Sequence, residues 1–102
     1  MNECLRMPPD ASSPPSSSPG AYLAAELERL MALPLATPAE VAHWDEECAT
    51  VQRTLERRFP HFEFEHEVWH FFNDSDIRAR DAGYCERQHR LMSEYVHRLC
   101  RR

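Results

Sequence analysis

The sequence predicts an all-α fold: a small domain of three or four helices over residues 21–102, behind a disordered Pro/Ser-rich N-terminal tail over residues 1–20. Three observations predict it. Apolar residues recur at three- and four-residue spacing in well separated stretches, which puts them on one face of a helix. Thr37 to Glu40 has the form of a capping box with proline at the first helical position. Residues 8–20, PPDASSPPSSSPG, hold five Pro and five Ser and no large apolar side chain, so burial there cannot offset the entropy of ordering the chain.

The first helix is expected from Tyr22 to Leu33, with Leu23, Leu27, Leu30 and Met31 on one face and Pro34 as its stop. The second is expected from Pro38 to about Arg58. Its seam of Val41, Trp44, Cys48, Val51 and Leu55 is narrow, as in a coiled-coil hairpin. It suits packing on the first helix or on a partner helix.

After Pro60, residues 61–73 (HFEFEHEVWHFFN) admit two periods. Phe62, Phe64, His66 and Val68 alternate with Glu63, Glu65, Glu67 and Trp69, as in a strand. A helix over residues 62–72 instead gathers Phe62, Phe64, Val68, Trp69, Phe71 and Phe72 on one side and Glu63, His66, Glu67 and His70 on the other. The helix is preferred, because it keeps Trp69 and Phe71 on the apolar face. Six of the ten aromatic residues lie between Phe59 and Phe72, so this element is expected to anchor the core. Asp74 and Asp76 each precede an Arg by four residues, Arg78 and Arg80, the spacing of an exposed helical turn. Asp81 then caps a last helix to about Cys100, with Tyr84, Leu91, Met92, Tyr95, Val96 and Leu99 on one face.

Composition narrows the function classes. All twelve basic residues are Arg, which excludes lysine chemistry and fits a GC-rich, bacterial genome. Cys4, Cys48, Cys85 and Cys100 show no close pairing and no secretory apolar run precedes them, as expected of reduced thiols in a cytoplasm. No apolar stretch approaches the roughly 18 residues that span a bilayer. Charge is segregated: residues 38–76 carry three Arg and ten acids, residues 78–102 seven Arg and three acids. The halves can satisfy one another within the fold or between protomers. About 80 residues make a thin core, a size often supplemented by a metal or a second chain.

The segment richest in chemistry is His66-Glu67-Val68-Trp69-His70. On a helix the two imidazoles lie one turn apart, and Glu67 between them has the place of a general base for a metal-bound water. Here the chain resembles the zincin metallopeptidases. In the metzincin pattern Asn73 occupies the position where the chain leaves the helix and Asp76 that of the third ligand. The resemblance implies zinc on His66, His70 and Asp76 with Glu67 as catalytic base. It covers residues 66–76 only, and departs from that family in lacking a preceding sheet and a Met-turn; Glu94 is the alternative third ligand, and His61 lies just upstream. The other reading of the same residues is the solvated face of an amphipathic helix, its imidazoles bonded to neighbouring carboxylates, with no cofactor.

The leading expectation is therefore a helical protein-interaction or regulatory module, working on a protein partner or as a homo-oligomer. Its expected surface is Trp44, Trp69, Arg87 and Arg90. The alternative is a metal-binding protein or a minimal zinc hydrolase. Arg87, Arg90, Arg98 and Arg101 form a basic stripe, but Glu86 and Glu94 sit four residues before Arg90 and Arg98, and the pI is about 5.6, which argues against nucleic acid. Cys85 and His89 share the spacing of a nucleophile and base without a third group to orient them. Gly20 and Gly83, the only glycines, leave no phosphate loop.

Overall fold

A computed structural model describes residues 18–100, and within them every regular element is a helix: α1 (Pro19–Ala32), α2 (Pro38–Arg58), α3 (His66–Asn73), α4 (Ser75–Arg80) and α5 (Ala82–Cys100). The tail expectation for residues 1–17, with Cys4, and the end of the basic stripe at Arg101 lie outside the described residues. The all-helical class is as the sequence predicts. The helices number five because the stretch after Pro60 is divided into two short ones.

The start of α1 lies three residues earlier than its apolar spacing suggests. Ser18 accepts a hydrogen bond from the Ala21 amide at 3.0 Å and Pro19 fills the first turn, so a Ser-Pro pair counted with the tail is a helix cap. In α2 the capping box forms as predicted: Thr37 Oγ1 accepts from the Glu40 amide and Glu40 Oε1 from the Thr37 amide, both at 3.1 Å. Glu40 Oε1 also accepts from the Ala36 amide at 2.8 Å.

Helix α5 is the hub, packing on α1, α3 and α4, while α2 packs on α1 and α4. One core joins them: Leu23, Leu27 and Leu30 from α1, Trp44, Cys48, Val51 and Leu55 from α2, Val68, Phe71 and Phe72 from α3, and Met92, Tyr95 and Val96 from α5. The predicted seam of α2 is thus filled by its own chain, with Val41 half-buried at its start. Trp44 is 1% exposed and its indole donates to the Leu30 carbonyl at 2.9 Å, beside the bond that carbonyl accepts from the Leu33 amide closing α1. It belongs to the core and not to the interaction surface expected of it.

The stretch after Pro60 combines both periods. The Phe62 amide bonds the Phe59 carbonyl at 3.0 Å across Pro60, and residues 62–65 continue without regular structure to Glu65 at φ −68°, ψ 155°. Phe62 and Phe64 pack on the core there, while Glu63 and Glu65 face solvent. The alternation is real for four residues, but it pairs with no strand. Helix α3 begins only at His66, not at residue 62: its cap, Glu65, is extended, and Phe62 and Phe64 reach the core from the irregular segment before it.

Candidate functional site

Helix α3 buries a stripe of Val68, Phe71 and Phe72, the spacing of one helical face. Trp69 falls one step outside it and is 50% exposed, which corrects its placement on the apolar side. Its ring stacks outward on His66, 6.2 Å between centroids and 2° from parallel, and meets His70 edge-on at 5.5 Å. The two imidazoles come together as the motif predicts: Nε2 of His70 lies 2.9 Å from Nε2 of His66. Nδ1 of His70 points the other way, 3.7 Å from Asp74 Oδ2.

Asp74 is itself held. The Tyr84 hydroxyl donates to Oδ2, and Gln88 Nε2 donates to the same oxygen at 3.3 Å and to the Tyr84 oxygen at 3.1 Å. The bond to Asp74 keeps the Tyr84 phenol protonated above its ordinary range. So the His70 ring is backed by a carboxylate anchored in α5.

The remaining predicted ligands stay apart from this pair. Asp76 faces solvent on α4, its carboxylate 3.9 Å from Arg80, and Glu67 is exposed on α3. Asn73 does not take the chain out through a left-handed turn. It ends α3 with its amide donating to the Trp69 carbonyl at 2.8 Å, and Asp74, at φ −112°, leads straight into α4. Among the described residues no three His, Cys, Asp or Glu side chains gather in a geometry that holds a metal.

Between α3 and α5 runs a groove of about 260 Å³, lined by Glu67 and His70 on one wall and by Tyr84, Arg87, Gln88, Leu91 and Met92 on the other. Leu91, 45% exposed, and Trp69 are the large apolar side chains left in solvent among the described residues. Trp69 abuts His70, a wall of this groove. Arg87 lies over the Tyr84 ring at 5.8 Å, and Arg90 is exposed on α5. Arg98 pairs with Glu65 at 3.1 Å rather than with Glu94, fastening the extended segment to α5.

The residue that sequence reasoning missed is Arg78. Read as an exposed partner of Asp74, it is 3% exposed. Its guanidinium lies 4.5 Å from the Trp44 ring centre and 4.2 Å from that of Phe71, and Nη1 donates to the Phe71 carbonyl and to Gln88 Oε1, both at 2.7 Å. Nε and Nη2 are enclosed without a hydrogen-bond partner; the two aromatic faces are what stabilise that side of the cation. Burial lowers its pKa. The signal was in the spacing: Phe71, Ser75 and Arg78 continue the α3 stripe, and Ser75 is buried too, donating to Asp45 at 2.6 Å.

The cysteines divide by environment. Cys48 is buried, its thiol 3.6 Å from the Phe72 carbonyl, and burial with the nearby Asp45 charge pushes its pKa up to about 12. Cys85 lies 3.8 Å from His89 Nε2. His89 is held below its ordinary value by burial and by the Arg78 charge, so it favours the neutral imidazole. No helix among the described residues is long and apolar enough to cross a membrane. Set against known proteins, the chain matches no family model, no curated protein and no solved structure.

Proposed function

We propose that this chain is a small helical interaction module whose docking face is the α3–α5 groove, and that the partner seated there is a second copy. One observation carries the reading. Of all large apolar side chains described, two are left in solvent: Leu91 lines this groove, and Trp69, which lines an adjoining hollow with Phe64 and His66, touches the groove's His70 wall. Elsewhere this small domain spends its apolar residues on its core, and an exposed tryptophan beside a shaped groove is the usual anchor of an interface. Charge supports self-docking: one wall bears Glu67 and the other Arg87. A two-fold axis sets each copy's acidic wall against the other's basic one, as an isologous interface requires.

Light scattering coupled to size exclusion tests this. The wild type is expected to run as a dimer, and Trp69→Ala and Leu91→Ala as monomers with unchanged circular dichroism, since surface truncations shift stability by only about 0.5 kcal/mol. A wild type that stays monomeric at every concentration overturns it; if it then captures a different protein through Trp69, the module reading survives with another occupant.

A second reading is favoured by the approach of His66 to His70. It is a metal site on the exposed face of α3, with zinc as the ion implied by the motif. Hydrolysis through Glu67 is the more demanding form of it, since Asp76 stands elsewhere. The metal analysis of untagged protein, before and after replacing both histidines, tests the site; Glu67→Gln tests the hydrolysis.

A further inference from the structure

We propose that His66 and His70 form a cis bis-imidazole site suited to a tetragonal divalent transition ion, copper(II) or nickel(II), in preference to tetrahedral zinc; this rests on the metal reading above and narrows it. The argument is geometric. The Nε2 atoms are 2.9 Å apart and the ring centroids 4.4 Å apart. The centroids are further apart than the nitrogens, so the two Nε2 atoms are the near ends of the rings. Two nitrogens bound at about 2.0–2.1 Å to one ion lie about 2.9 Å apart at a right angle and about 3.3 Å apart at the tetrahedral angle. The right angle also sets the imidazole centroids about 4.5 Å apart. Both separations fit the right-angle site without moving the helix.

Asp74 is the positioning residue. Its carboxylate stands 3.7 Å from Nδ1 of His70, a small closing movement short of a hydrogen bond, and is fixed there by Tyr84 and Gln88; drawn in, it makes the carboxylate–histidine bond that orients metal ligands. A hydrogen on Nδ1 directed at that carboxylate leaves Nε2 of His70 to the ion. Without metal, one Nε2 donates to the other across the 2.9 Å gap. For both Nε2 lone pairs to bind the ion, that hydrogen moves to the Nδ1 of its own ring through solvent, which faces both rings on this exposed side of α3. Water fills the remaining positions on this exposed face.

Trp69 makes the site observable. Its ring lies against both imidazoles, whereas Trp44, the other tryptophan, is buried. The untagged full chain is titrated with copper(II), nickel(II) and zinc(II) salts, followed by tryptophan emission and, for copper, by electron paramagnetic resonance. The expected result is saturable, chelator-reversible quenching at one copper per chain, an axial spectrum with splitting from two imidazole nitrogens, and nickel bound at least as tightly as zinc. His66→Ala and His70→Ala each weaken copper binding by at least about tenfold, and Asp74→Asn by about 10–100-fold. In the metal-free Asp74→Asn protein the His70 ring-nitrogen shifts leave the Nδ1–H pattern, which a general loosening of packing would not select. Circular dichroism shows that the variants remain folded.

Quenching untouched by either histidine substitution places copper elsewhere and overturns the whole metal reading. Zinc bound more tightly than nickel, with both histidines required, keeps a metal site and overturns the right-angle geometry. Unchanged affinity in Asp74→Asn overturns the positioning role.

Discussion

At the scale of single residues, Arg78 decides most. A guanidinium enclosed in a small domain loses its hydration, and only one of its nitrogens recovers hydrogen bonds. What it returns is connection: Trp44 of α2, the Phe71 carbonyl of α3 and Gln88 of α5 all meet on it. Arg78→Ala removes the stem, the charge and the donors together, and is expected to destabilise by about 2–4 kcal/mol in urea unfolding. Arg78→Met restores the apolar stem against both rings and recovers part of that loss. A neutral Arg78→Ala would show that the aromatic sandwich contributes nothing. His89 gives the pH dependence. Its folded pKa lies below its ordinary 6.5, so the unfolded chain binds the proton first. Its contribution to stability is fully present above that value and falls away as the pH drops from there towards the folded pKa. His89→Gln is expected to flatten the fall in melting temperature on the acid side of 6.5, relative to wild type.

At the scale of elements, the long helices were legible and the short ones were not. The cap at Thr37, the seam from Trp44 to Leu55, and the cap at Asp81, whose carboxylate accepts from the Tyr84 amide at 3.0 Å, are local signals that tertiary packing reinforced. Across residues 62–80 the chain changes period at His66, and the buried stripe then passes from Phe71 and Phe72 to Ser75 and Arg78, polar residues that an apolar pattern does not count. That is why Trp69 was placed inward and Arg78 outward. The imidazole pair was legible, because one turn of helix is all it needs; Asp74 as its backing was not, because that depends on Tyr84 and Gln88 arriving from α5. Helices α3 and α4 have eight and six residues, below the roughly 12–15 at which an isolated helix becomes even marginal in water. A peptide of residues 61–81 is accordingly expected to show little helix by circular dichroism. A strongly helical peptide would mean that α3 owes nothing to its packing.

At the scale of the molecule, that dependence makes the domain one cooperative unit. Helix α5 touches α1, α3 and α4, and Met92, 1% exposed, lies both in the core and on the wall of the α3–α5 groove. A fold of about 80 residues has a total stability of about 4–12 kcal/mol, and truncating a buried methionine costs about 2–5 kcal/mol. Met92→Ala therefore removes a large share of the whole, and among the described residues the buried apolar side chains form one core, with no second one to hold the remainder. The expectation is that it lowers the unfolding midpoint of α1 and α2 as much as that of α3. Two probes separate the outcomes. Far-ultraviolet dichroism is dominated by the long helices, while the Cys48 thiol, locked against the Phe72 carbonyl and raised to about 12, is alkylated only when α2 and α3 part. Coincident transitions in urea, displaced together by Met92→Ala, identify a single unit. Cys48 labelling that runs ahead of the loss of helix would instead mark α3 and α4 as a layer that detaches while the α1–α2–α5 core stands.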